Sequence, residues 1–156
     1  MTFAELISLL EKQVKLHKSL YQLALKKTEA LKKHDVETLT ALMKDEQKHI
    51  LAIQQLEHNR MNMMRQWGKG DDFTMTHCIE MAAEPERSTL SHLYDQLAKL
   101  LVHIKQANEL NQQLTEQSLQ FIYLTLDMIA PQTQPITYSK NTYDEPLDRS
   151  MFESKA

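Results

Sequence analysis

The sequence predicts an all-α fold: an antiparallel bundle of three long helices, a short extra helix after a glycine-rich break, and a disordered C-terminal tail. Three observations lead there. Apolar residues recur at helical period over long stretches. Glycine occurs twice and proline four times in 156 residues, and these two residue types punctuate backbone structure. Three of the four prolines lie beyond residue 130, so the remainder of the chain is almost free of breakers.

The first helix is written in two parallel stripes. Phe3, Ile7, Leu10, Val14, His17, Tyr21, Ala24, Thr28 and Leu31 follow four-three spacing, and Leu6, Leu9, Leu16, Leu20 and Leu23 lie beside them. Thr2 and Glu5 have the spacing of a capping box, and Lys32 and Lys33 suit the negative end of the helix dipole. Lys33, His34 and Asp35 form a turn, with Asp35 as the cap of the second helix. That helix presents Val36, Leu39, Leu42, Met43, Ile50, Ile53, Leu56, Met63, Met64 and Trp67 as its apolar face. So short a connection makes the two helices antiparallel neighbours. Gly68 and Gly70 then break the chain. Met75 to Met81 reads as a short helix with Thr74 as cap, and Pro85 suits the first turn of the next helix. The last long helix carries Leu90, Leu93, Leu97, Leu100, Ile104, Ala107, Leu114, Phe121 and Met128 at heptad-like spacing. It should stop near Ala130, because Pro131 cannot continue it. The organisation expected is a helical domain over residues 1–130 and a flexible tail over 131–156. Three helices enclose a core only if the longest packs across the hairpin of the other two; otherwise the chain should form a homodimer.

Composition narrows the function. The formal net charge is −3, without the clustered Lys and Arg that nucleic acid requires. The single cysteine, Cys78, can form no internal disulfide, which suits a reducing compartment. No apolar run reaches the roughly 18 residues that a membrane span needs, and residues 1–10 lack the features of a signal peptide. A soluble, cytoplasmic chain without membrane insertion is expected.

No phosphate-binding glycine loop and no nucleophile turn is present, and neither an enzyme nor a cofactor is expected. Glu46 and His49 have the spacing of one di-iron ligand pair, but such a site takes two pairs, so no metal is expected. His77 and Cys78 lack the further ligands of a zinc site. His17 reads as a core histidine with one hydrogen-bond partner. His103 is followed by Lys105 but not by the glycine usual in histidine phosphotransfer bundles, which leaves that reading the weakest.

The end of the last helix is apolar nearly all round: Leu119, Phe121, Ile122, Tyr123, Leu124, Leu126, Met128 and Ile129. Such a helix must be covered by something. Either the other helices cover it or part of it is a docking face for a partner's helix. Met61, Met63 and Met64 fit a core first and an adaptable surface second.

Three segments together resemble the FlgN family of flagellar type III export chaperones. The first runs from Leu42 to Arg60, with Glu46, Lys48, Ile50, Leu56 and Glu57 in the family's order of charge and apolar pairs. The second, Ala107, Asn108, Asn111 and Leu114, is similar to the asparagine-spaced stretch of the family's last helix. The third, Pro135 to Asn141, places Tyr138 where the family has a tail tyrosine, although Ser139 and Asn141 stand where glycine is frequent. The resemblance implies a protein that binds the C-terminal amphipathic helices of the hook-associated proteins FlgK and FlgL. It would prevent their premature assembly and deliver them to the cytoplasmic domain of the export gate. It also implies that Tyr138 contacts the gate. Leu114, Phe121, Ile122 and Met128 are the client-contact candidates, chosen by apolar position. A self-associating helical scaffold or adaptor is the competing reading.

Overall fold

A computed structural model describes residues 2–68 and 73–130. Among these, four helices follow in order: α1 (Phe3–Lys32), α2 (Val36–Trp67), α3 (Met75–Met81) and α4 (Glu86–Ile129). The all-α class, the three long helices and the short helix after the break are as the sequence predicts. The expected disordered tail, residues 131–156, lies outside the described residues. The chain divides into two compact units, Met1–Ser118 and Leu119–Ala156, and α4 runs through the boundary between them.

In the first unit, the start of α1 is fixed by the expected capping box. The Glu5 N–H donates to Thr2 Oγ1 at 3.3 Å, and the Thr2 N–H donates to Glu5 Oε2 at 2.9 Å. At its other end the backbone folds back on itself. The Asp35 N–H reaches the Ala30 carbonyl at 2.9 Å and the His34 N–H reaches that of Leu31 at 3.2 Å. This is the paired bonding of a Schellman turn, and it requires a left-handed residue between helix and exit. His34 supplies it, at φ 55°. Asp35 then caps α2: its Oδ1 accepts the Thr38 N–H at 3.1 Å and its Oδ2 accepts the Thr38 hydroxyl at 2.6 Å. These bonds hold the Asp35 carboxyl below its usual pKa. One residue thus closes the first helix and opens the second, which turns the chain back antiparallel.

At the opposite end, Gly68 leaves α2 beneath Phe73. A β-carbon at Gly68 would run into the Phe73 ring, so glycine is needed for this close approach. Phe3 and Trp67 pack ring to ring with centroids 5.0 Å apart. They flank the main core, in which Leu6, Leu10 and Val14 of α1 meet Met64 of α2, Met75 and Cys78 of α3, and Leu90 and Leu93 of α4. Burying each large aliphatic side chain contributes roughly 1.5–3 kcal/mol. Since the start of α4 shares this core with the start of α1, and Asn111 bonds to Thr28 further along, α4 runs parallel to α1. Both oppose α2. A smaller cluster, Leu23, Ala30, Leu42 and Leu39, closes the hairpin end.

Two details depart from the sequence reading. Val36 and Met43, assigned to the apolar face of α2, are exposed, because a period of 3.6 carries them away from the line through Leu42, Met63 and Met64. Pro85 stands one residue ahead of α4, and its carbonyl accepts the Thr89 N–H at 3.3 Å. It therefore serves the helix from the capping position.

Candidate partner-binding surface

Two features of the described residues offer themselves to a partner, one in each unit. In the first unit, a groove of about 810 Å³ lies over α1 between α2 and α4. Leu10, Ile53, Met64, Leu97 and Leu101 give it apolar walls. Polar groups furnish its floor. Gln13, 2% exposed, donates from Nε2 to Glu57 Oε2 at 3.0 Å. Arg60 grips the same carboxylate with Nε and with a guanidinium N–H. The hydrogen bond from Arg60 is the largest influence on Glu57 and pulls its pKa down; burial opposes it, and the bond from Gln13 adds to it. His17 Nδ1 lies 2.7 Å from the Gln13 carbonyl, which requires Nδ1 to carry the proton and makes His17 a core histidine with a backbone partner.

In the second unit, residues 119–129 of α4 are helical and apolar, and nearly all are exposed. Phe121 is 64% exposed, Met128 76% and Ile129 75%. Leu119, Ile122, Tyr123, Leu124 and Leu126 are exposed as well. Phe121 and Met128 stand two turns apart and so share one side of the helix, with Ile122 adjacent. An exposed apolar run of this kind is an interaction surface or an aggregation liability.

The client-contact candidates thus fall in two settings. Phe121, Ile122 and Met128 are exposed on the last turns of α4. Leu114, in the first unit, is half-buried. Tyr138 lies outside the described residues. Sequence reading missed the polar floor of the groove. Gln13 stands between Leu10 and Val14 on the apolar face of α1, and that misplaced polar residue was the available signal.

The histidines weighed for chemistry have structural partners. Ser19 Oγ and His49 Nε2 lie 2.7 Å apart, and His49 Nδ1 is 2.7 Å from the Asp45 carbonyl, so Nδ1 carries the proton and Nε2 accepts from the serine. Glu46 pairs with Lys27 at 2.8 Å. His103 stacks on Tyr21 and His77 on Phe73. Burial of Cys78 pushes its thiol pKa up, which makes it a poor nucleophile. Among the described residues no group of three or more His, Cys, Asp or Glu could hold a metal ion. No helix there is long and apolar enough to cross a membrane.

Comparison with known proteins agrees with the resemblance read from the three segments. A family model described as FlgN protein matches residues 1–145. The chain is 36% identical over 161 residues to a Bacillus subtilis (strain 168) protein described as uncharacterized protein YvyG, with all of both chains covered. No solved structure matches it.

Proposed function

Because the chain belongs to the FlgN family, whose members are flagellar export chaperones, we propose that it binds the C-terminal amphipathic helices of FlgK and FlgL in the cytoplasm. There it prevents their premature assembly and delivers them to the export gate. The observation that carries this reading is the exposed apolar end of α4, with Phe121, Ile122 and Met128 in particular open to solvent. A hook-associated subunit before assembly has an apolar helix face of its own to cover. Joining the two removes apolar area from water at about 25 cal/mol per Å², and ordering the partner offsets much of that gain. The result is an affinity that permits release, which an export chaperone requires. In this reading Leu114 extends the client surface, and Tyr138 contacts the cytoplasmic domain of the gate. Residues 1–130 hold the client, and residues 131–156 address the complex to the gate.

Co-purification of the full chain with a FlgK or FlgL C-terminal segment tests the proposal. A complex with a dissociation constant in the micromolar range supports it, and no binding at tens of micromolar overturns it. Removing residues 131–156 should leave client binding intact and abolish gate binding. Loss of both would assign the tail a different role.

A further inference from the structure

The seam between α4 and α1 is apolar at Leu90, Leu93, Leu97, Leu100, Ile104 and Ala107, and then meets an asparagine. Asn111 is 4% exposed. Its Nδ2 donates to the Ala24 carbonyl at 2.9 Å, and its Oδ1 accepts the Thr28 hydroxyl at 2.5 Å. The Thr28 hydroxyl also lies 3.1 Å from the Ala24 carbonyl. Its one proton serves the shorter contact with Asn111. Both ends of the buried amide are therefore bonded across the two helices.

The geometry points to Asn111 and Thr28 as positioning residues that fix the register of α4 along α1. A heptad seam of leucine-like side chains has a weakness: sliding one helix by seven residues, about 10 Å, returns similar residues to similar places. Leu90 and Leu93 are held in the core with Met75 and Cys78 of α3, but beyond that core apolar contacts alone discriminate poorly among such registers. The amide does discriminate, because a slide takes Asn111 away from the Ala24 carbonyl and the Thr28 hydroxyl and leaves the buried amide without these partners, while Thr28 can still bond to the Ala24 carbonyl on its own helix. A polar residue at one seam position is a known way to select a single alignment of packed helices. Here it acts within one chain. A slide in either direction would also set Leu114 at a different level of α1, so the lock fixes where that client candidate is presented.

Cross-linking of cysteine pairs with a short bis-maleimide in the full-length protein reads the register without any client. Tyr21 and His103 stack across this seam with ring centroids 5.6 Å apart, so the pair Tyr21→Cys and His103→Cys reports the native register. Tyr21→Cys with Gln96→Cys, or with Leu110→Cys, reports a slide of one heptad either way. Those pairs are separated by a further ~10 Å in the native register, beyond the reach of the same short reagent. Cys78 is fully buried and does not compete. With Asn111 intact the native pair should cross-link at least about tenfold better than either slid pair. Asn111→Leu should bring a slid pair to a yield comparable with the native one, Thr28→Val should do so partly, and Thr28→Ser should restore native selectivity. If Asn111→Leu does not fold, the Thr28→Val and Thr28→Ser pair decides. Exclusive native cross-linking in the folded Asn111→Leu or Thr28→Val variants overturns the lock and leaves Asn111 a merely stabilising contact.

Discussion

The two stretches of α4 use one grammar with opposite results. Along residues 90–111, apolar residues at seven-residue spacing are buried: Leu90 is fully covered, and Leu93, Ile104 and Ala107 nearly so. Along residues 119–129 the spacing continues through Phe121 and Met128, yet both stand in solvent. Composition does not separate the two stretches, and if anything the second is the more apolar. Coverage separates them. The first stretch has α1 and α3 in its core, while the apolar side chains of the second are exposed. Periodicity therefore states that a face wants to be buried, and the fold states whether the chain itself buries it.

Substitutions sharpen that contrast, because the two stretches should respond in different assays. The largest effect is expected in the closed core: Leu90→Ala or Leu10→Ala should destabilise the fold by about 2–5 kcal/mol, read from urea unfolding. Phe121→Ala or Met128→Ala should change stability by no more than about 0.5 kcal/mol. A large loss from either would mean that the end of α4 is covered after all. Gly68→Ala comes next, because its methyl would displace Phe73 from the edge of the same core. A loss of about 1–3 kcal/mol in unfolding free energy is expected.

Acid should affect the groove selectively. Glu57 has its pKa depressed in the folded state, chiefly by Arg60. Its stabilising contribution is thus present above the ordinary glutamate range and is lost as pH falls through the lower folded value. Arg60→Met should flatten that part of the pH dependence, measured as urea midpoints across the acid range. An unchanged profile would show that the pair contributes nothing. The smallest effect is expected at the hairpin, where His34 holds a left-handed conformation better suited to glycine. His34→Gly should raise the melting temperature slightly, by an amount corresponding to roughly 0.5–1 kcal/mol.

Most of the fold was legible because its signals are local. The Thr2–Glu5 box, the Asp35 cap, the glycine break and the stop at Pro131 each act within a few residues, and helix boundaries follow from them. The antiparallel hairpin followed from the short turn at His34. The long-range polar links were less legible. Nothing in the spacing of Gln13, Glu57 and Arg60 announces that they meet, since Gln13 and Glu57 are on different helices. Asn111 was visible as part of a family pattern, but its bond to Ala24 depends on how two helices align, which periodicity leaves open. The exposure of Val36 and Met43 has a similar origin: an apolar residue near a stripe is placed by the exact phase of the helix. At the candidate surface, sequence identified the apolar run, and only the fold distinguished the half-buried Leu114 from the exposed Phe121, Ile122 and Met128.

The central claim proposed here is that the exposed end of α4 holds a partner and does not serve the core of the first unit. Titrating a FlgK C-terminal peptide into the wild-type protein and into the Phe121→Ser, Met128→Ser double variant, with unfolding midpoints measured alongside, tests it most directly. The account predicts binding at least about tenfold weaker in the variant with an unchanged midpoint. Equal binding by the two proteins, or a variant that has lost its stability, would contradict it.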